Sequence, residues 1–115
     1  MANIIVCMKQ VLDPEAPVST YQVDAEAKRV VQRGVPPVLN PYDENALEAA
    51  LRIKDTQMSK ITAISMGRSL SKAVARKALA AGADQMVLLE DSAFEGLDSW
   101  ATALILAAAI KKIGK

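Results

Sequence analysis

Histidine is absent from this sequence, and cysteine occurs once, at Cys7. Without imidazole there is no histidine-based triad and no histidine metal ligand. With a single thiol, no ordinary zinc site and no intramolecular disulfide can be assembled. One cysteine in 115 residues fits a reducing compartment. An excess of charge of either sign is also missing. Fourteen Lys and Arg against 13 Asp and Glu leave +1, which gives no electrostatic ground for nucleic acid or an anionic membrane as partner. The longest apolar run, Trp100 to Ile110, is too short for a bilayer, which takes about 20 residues. Met1 leads straight into strand-like sequence and leaves no room for a signal peptide. Neither GxGxxG nor GxxxxGK[ST] occurs among the five glycines. The expectation is a soluble protein of a bacterial cytoplasm, ahead of a mitochondrial matrix, with residues 1–115 forming one α/β domain.

What is present is organised around Lys60 to Glu90. Ile61, Ala63 and Ile64, then Val87, Leu88 and Leu89, form short apolar runs bounded by turn signals. Such runs suit parallel strands covered on both faces. Between them Leu70, Val74, Ala78 and Leu79 recur at helical spacing, in an alanine-rich stretch that Ser69 or Ser71 can cap and Gly82 can end. This is a βαβ unit of about thirty residues, and it fixes a parallel sheet.

Upstream, Asn3 to Met8 reads as the first strand, dense enough in apolar residues for a central place in the sheet. Two prolines, Pro14 and Pro17, break the chain. Val18–Tyr21 with Val23, a turn at Asp24–Ala27, and Arg29–Val31 then read as a hairpin, and Val35–Val38 as extended. The link from first strand to first helix is far longer than the roughly 2 to 6 residues usual for a βα loop. An insertion at that place either binds something or covers a sheet edge. Asn40-Pro41-Tyr42-Asp43-Glu44 opens the first helix: Asn as cap, Pro at the first position, acids at the positive end of the dipole. Leu47, Ala50 and Leu51 form its buried stripe, with Lys54 extending along the same face, and Asp55–Ser59 reads as a loop. Asp98 or Ser99 caps a last helix that is apolar on most sides from Trp100 to Ile110. Such a helix is expected to be buried, against the sheet and against a further segment or partner. Because a doubly wound fold would continue after it, the chain is expected to be a fragment of something longer.

In an open parallel sheet, ligands bind beyond the carboxyl ends of the strands. Here those ends are Cys7-Met8-Lys9, Ser65 to Arg68, and Glu90-Asp91, with Asn40–Asp43 on the same rim. The rim suits a nucleotide-sized ligand held by backbone and shape. Taken singly, each residue also has a plainer role: Cys7 as a small buried apolar residue, Met66 as core filler, Asn40-Pro41 as a helix start, Asp43 and Glu44 as solvated first-turn acids. No catalytic constellation emerges.

VCMKQVLDP, then a hairpin, LNPYDENALEAALRIKD, ITAISMG and ALAAGADQMVLLED together resemble the beta (small) subunit of electron transfer flavoproteins, in its N-terminal portion. The resemblance covers nearly the whole chain. It implies a three-layer, mostly parallel, Rossmann-like sheet of the adenine-nucleotide-binding type, with a β-hairpin insertion after strand 1. It also implies an electron-carrier component rather than an enzyme. Such a subunit pairs with an alpha subunit, which holds most of the FAD, and passes electrons from acyl-CoA or other dehydrogenases towards a quinone-linked acceptor. The family's beta subunit holds AMP, or a second FAD in electron-bifurcating members. The positions matching its nucleotide contacts are Cys7, Asn40, Pro41, Tyr42, Asp43 and Met66. Met66 replaces a smaller residue common there, and the family's phosphate-cradling loop and dehydrogenase-docking region belong to a later segment. The alternative reading is a free-standing adenine-nucleotide-binding regulatory module of the stress-protein kind. A third is an assembly domain that offers Trp100 and its neighbours to a partner.

Overall fold

The computed structural model describes residues 2–26, 28–32 and 34–114. Three parallel strands form its centre: β1 (Ala2–Cys7), β6 (Ser59–Gly67) and β7 (Gln85–Glu90), in the order β1-β6-β7. Two short antiparallel pairs lie in the connection after β1. One is β2 (Gln10–Val11) with β5 (Val38–Leu39), and the other is the hairpin β3 (Tyr21–Asp24) with β4 (Arg29–Gln32). The helices are α1 (Pro41–Thr56), α2 (Lys72–Ala81) and α3 (Ser99–Ile113).

The sheet register sorts the side chains between two faces. Ile4 pairs with Ile61 and Val6 with Ala63, and these residues share one core with Leu47 and Ala50 of α1 and Val74 and Ala78 of α2. Both helices therefore cover one face. That follows from two successive right-handed crossovers advancing in the same direction across the sheet. Cys7 pairs with Ile64, and Ile64 with Val87, on the opposite face. On that side α3 stands across a cleft, with Thr102, Ala103 and Leu106 lining it.

Each helix start is fixed locally. The Asn40 side chain accepts from the Tyr42 amide, the Ser71 hydroxyl from Ala73, and the Asp98 carboxylate from Ala101. Ser71 is thus the cap of α2 and Ser69 is not. Gly82 ends α2 at φ +130°, and a Cβ there would lie 2.6 Å from Leu51 Cδ2. Lys54 Nζ reaches Asp84 at 2.7 Å, and the Asp84 carboxylate also accepts from the Ile61 amide at 2.8 Å. These bonds hold its carboxyl below the usual range, the Ile61 amide first and Lys54 after it. One aspartate thus joins α1, the α2–β7 turn and the start of β6.

Several expectations change. Among the described residues β1 pairs with β6 alone, and the longer, more buried β6 lies between β7 and β1. Strand β1 ends at Cys7 rather than Met8. Apolar density reports burial of the strand's faces, and that does not specify rank within the sheet. Val18–Thr20 is a 3-10 turn, and the strand begins only at Tyr21. Asp24 closes β3, so the hairpin turn runs through Ala25, Glu26 and Lys28, while Ala27 lies outside the described residues. Helix α1 continues to Thr56, which absorbs Asp55 and Thr56 of the expected loop. No residue of α3 is buried: Trp100 is 75% exposed and Leu104 57%. A helix apolar on most sides carries more apolar surface than one sheet face can cover.

Candidate functional site

A cleft of about 1260 Å³ opens at the carboxyl ends of β1 and β6, bounded by the residues after β7 and by α3. Its floor is the sheet face carrying Cys7, Ile64 and Met66. One wall holds Asn40 and Asp43 at the start of α1, and another holds Gly67 to Leu70 after β6. The far side holds Phe94 to Leu97 and the α3 residues Thr102, Ala103 and Leu106. Thr102 and Leu106 lie one turn apart on the cleft side. Trp100 and Leu104 point the opposite way, as helical spacing requires.

The insertion leaves and returns at one point. β2 and β5 pair there, the Asn40 amide donates to the Lys9 carbonyl at 2.8 Å, and the Lys9 amide donates to Asp43 Oδ2 at 2.7 Å. Asp43 thus fastens the exit of β1 to the first turn of α1. It is half-buried and bonded, not a free solvated acid, and Glu44 pairs with Lys77 of α2 at 2.7 Å. Gln10 plays the matching part on the other side. Its amide nitrogen donates to the Ser69 carbonyl at 3.0 Å, and its oxygen accepts from the Ser71 amide at 2.7 Å. Glu90 accepts from the Leu70 amide at 3.1 Å. At α1 the Tyr42, Asp43 and Glu44 amides all donate to Asn40, and at α2 the Ala73 amide donates to Ser71 Oγ.

Of the six residues singled out from the sequence, Cys7, Asn40, Asp43 and Met66 line the cleft together. Pro41 and Tyr42 do not. Both are exposed, and Tyr42 is 81% exposed, because the first and second positions of the helix turn their side chains away from the sheet. Cys7 corrects the expectation of a buried thiol: it is exposed at the end of β1, on the cleft face. Partial burial and then the Asp43 charge push its thiol above the ordinary value of 9.0, the wrong direction for a nucleophile. Met66 is half-buried and lies in the cleft floor rather than in the core. Among the described residues no group of His, Cys, Asp and Glu is placed to hold a metal ion, and no helix is long and apolar enough to cross a membrane.

Sequence reasoning missed Gln10, Arg29 and Glu95, all of which line the cleft. Glu95 accepts from Arg29 Nη1 with Oε1 and from Arg68 Nη1 with Oε2, the latter at 2.6 Å. Arg29 first and Arg68 with it hold the Glu95 carboxyl below its ordinary value of 4.5. Arg29 and Glu95 are 66 residues apart, and nothing local in either stretch signals the pairing.

A parallel sheet flanked by helices with a cleft at its carboxyl ends defines an α/β fold of Rossmann-like architecture. The family profile described as the electron transfer flavoprotein domain matches residues 28–115, and the chain belongs to that family. It is 44% identical over 110 residues to the electron transfer flavoprotein subunit beta of Thermoanaerobacterium thermosaccharolyticum, covering 96% of this chain and 41% of that relative. The caffeyl-CoA reductase-Etf complex subunit CarD of Acetobacterium woodii is 44% identical over 114 residues, 98% of this chain and 42% of its own length. Protein FixA of Azorhizobium caulinodans is 42% identical over 113 residues, 98% and 39% respectively. The chain spans about two-fifths of the length of these relatives.

Proposed function

We propose that this chain is part of a beta-type subunit of an electron transfer flavoprotein, and that its cleft holds an adenine nucleotide. The observation that carries the reading is the convergence of Cys7, Asn40, Asp43 and Met66 on one cleft at the strand ends, in a chain of this family. Met66, half-buried in the cleft floor, offers an apolar and polarisable surface for a purine ring. The Tyr42, Asp43 and Glu44 amides of α1 are taken by Asn40 and the Ala73 amide of α2 by Ser71, so those amides are not available to a phosphate. The base end of the ligand then belongs between β6 and α1. Its phosphate belongs towards Lys9, a cationic side chain of the cleft wall, since Arg29 and Arg68 are tied to Glu95. Tyr42 and Pro41 contribute backbone at the helix start and no lining side chain.

AMP is the first candidate. A second FAD is the other, and the size of the cleft favours keeping it. About 1260 Å³ exceeds the roughly 300–1,000 Å³ of an ordinary small-ligand site. The bound flavin supplies the redox chemistry of such a carrier, and this chain's part is to bind and orient. In this reading the chain is an electron-carrier component and not an enzyme. Its partners are an alpha subunit holding most of the FAD, acyl-CoA or other dehydrogenases as donors, and a quinone-linked acceptor, in a bacterial cytoplasm. The relative CarD bears the name of a reductase-Etf complex subunit, which supports assembly of this kind.

Purifying the natural gene product with whatever accompanies it, and extracting its nucleotides, tests the reading. One AMP and one FAD per two-subunit complex is the expected outcome. Two FAD per complex selects the second candidate. A lone polypeptide without adenine nucleotide or flavin refutes the carrier assignment.

A further inference from the structure

The wall of the cleft closes on one carboxylate. Glu95, in the segment after β7, receives one guanidinium from Arg29 at the start of β4 and another from Arg68 after β6. All three residues line the cleft. Arg29 pairs with Asp24 at the tip of the hairpin. The base of the hairpin is tied separately: the Tyr21 hydroxyl and the Gln32 amide both donate to the Asp13 carbonyl, at 2.8 and 2.9 Å. The ribbon is therefore held at both ends, to its own insertion at the base and to the far wall of the cleft at the tip.

Between those ends little holds it. No residue of β3 or β4 is buried, and Val23 and Val30, paired across the ribbon, are 77% and 49% exposed. A two-stranded ribbon without a covered face is marginal in water. The tie at its tip is exposed too, with 52% of the Arg29 side chain and 58% of the Arg68 side chain open to solvent. Ion pairs of that kind are weak and screened by salt. The arrangement has the properties of a catch that releases readily.

We propose that Glu95 is the clasp of a strap formed by the β3–β4 hairpin, and that release of the clasp sets how fast a nucleotide enters and leaves the cleft. The strap rests on the geometry alone, while the gating role rests on the nucleotide reading above. Arg29 carries the strap, and Arg68 holds Glu95 in position from the β6 side.

The test uses the natural gene product and its Glu95→Gln, Arg29→Gln and Arg68→Gln variants. Hydrogen exchange without nucleotide should speed up by roughly threefold at residues 21–24 and 29–32 in the first two variants and leave β6 unchanged. Arg68→Gln, which keeps the Arg29 tie, should stay within about twofold of the parent at those residues. In stopped-flow binding of a fluorescently labelled AMP, the association and dissociation rates of Glu95→Gln should rise together, leaving affinity within about twofold. High salt should move the parent protein in the same direction. Unchanged hairpin exchange in both Glu95→Gln and Arg29→Gln would overturn the strap. A rise in dissociation rate alone would overturn the gating role and make Glu95 or Arg29 a ligand contact. No AMP binding by the parent would remove the nucleotide reading and the gating role with it, while the exchange data would still judge the strap.

Discussion

Ser65 and Ile64 are neighbours on β6, both almost wholly buried, and their energetic roles are opposite. Ile64 points to the cleft face and forms part of its floor. Ser65 lies on the face shared with α1 and α2, and its hydroxyl has no hydrogen-bond partner among the described residues. An unpaired buried hydroxyl costs more than it returns, so Ser65→Ala should leave stability unchanged or raise it by up to about 1 kcal/mol. Urea unfolding checks this, and a loss of stability larger than that would show that the hydroxyl is satisfied. Cys7 gives a second residue-level expectation. Its thiol titrates above the ordinary value because of burial first and the Asp43 charge second. PH-dependent alkylation followed by peptide mass spectrometry should therefore place the midpoint of Cys7 above 9.0. Asp43→Asn, which keeps an oxygen for the Lys9 amide, should lower that midpoint without bringing it to the ordinary value. A midpoint at or below the ordinary value in the parent would contradict the packing described for the end of β1.

At the scale of elements, the junction of α1 with α2 turns on Gly82. Its φ of +130° is unfavourable for any side chain, and a methyl would meet Leu51. Gly82→Ala should cost about 1–3 kcal/mol in thermal or urea unfolding. A neutral result would mean that α2 ends differently. The glycine was legible in the sequence as a helix stop, as were Asn40 and Pro41 as a helix start, because caps and breakers act within a turn of where they stand. The βαβ unit was legible for a similar reason: periodicity of Val74 and Ala78 against the runs around Ile64 and Val87 is a local signal. The burial of α3 was not. Apolar residues on most sides show that a helix has surface to cover, and the covering element belongs to tertiary structure. The side facing Thr102 and Leu106 found the cleft, and Trp100 and Leu104 remained outside.

For the molecule as a whole, the rule that ligands sit at the carboxyl ends of parallel strands placed the candidate site before any coordinates. It brought together Cys7, Asn40, Asp43 and Met66. Pro41 and Tyr42 belong to the same rim but turn their side chains out of the cleft, because consecutive residues of a helix start share a motif without sharing a direction. The rule could not supply Arg29 or Glu95, whose meeting depends on how the tip of the hairpin reaches the segment after β7. The order of the strands, with β6 between β7 and β1, was likewise beyond a reading of apolar density. Position of the ligand is therefore the point to measure first. Photolabelling the natural gene product with 8-azido-AMP, followed by peptide mapping, should mark peptides containing residues 40–43 and Met66, with labelling suppressed by excess AMP. Suppressible labelling confined to peptides that contain none of the residues lining the cleft would contradict the assignment of this cleft as the nucleotide site.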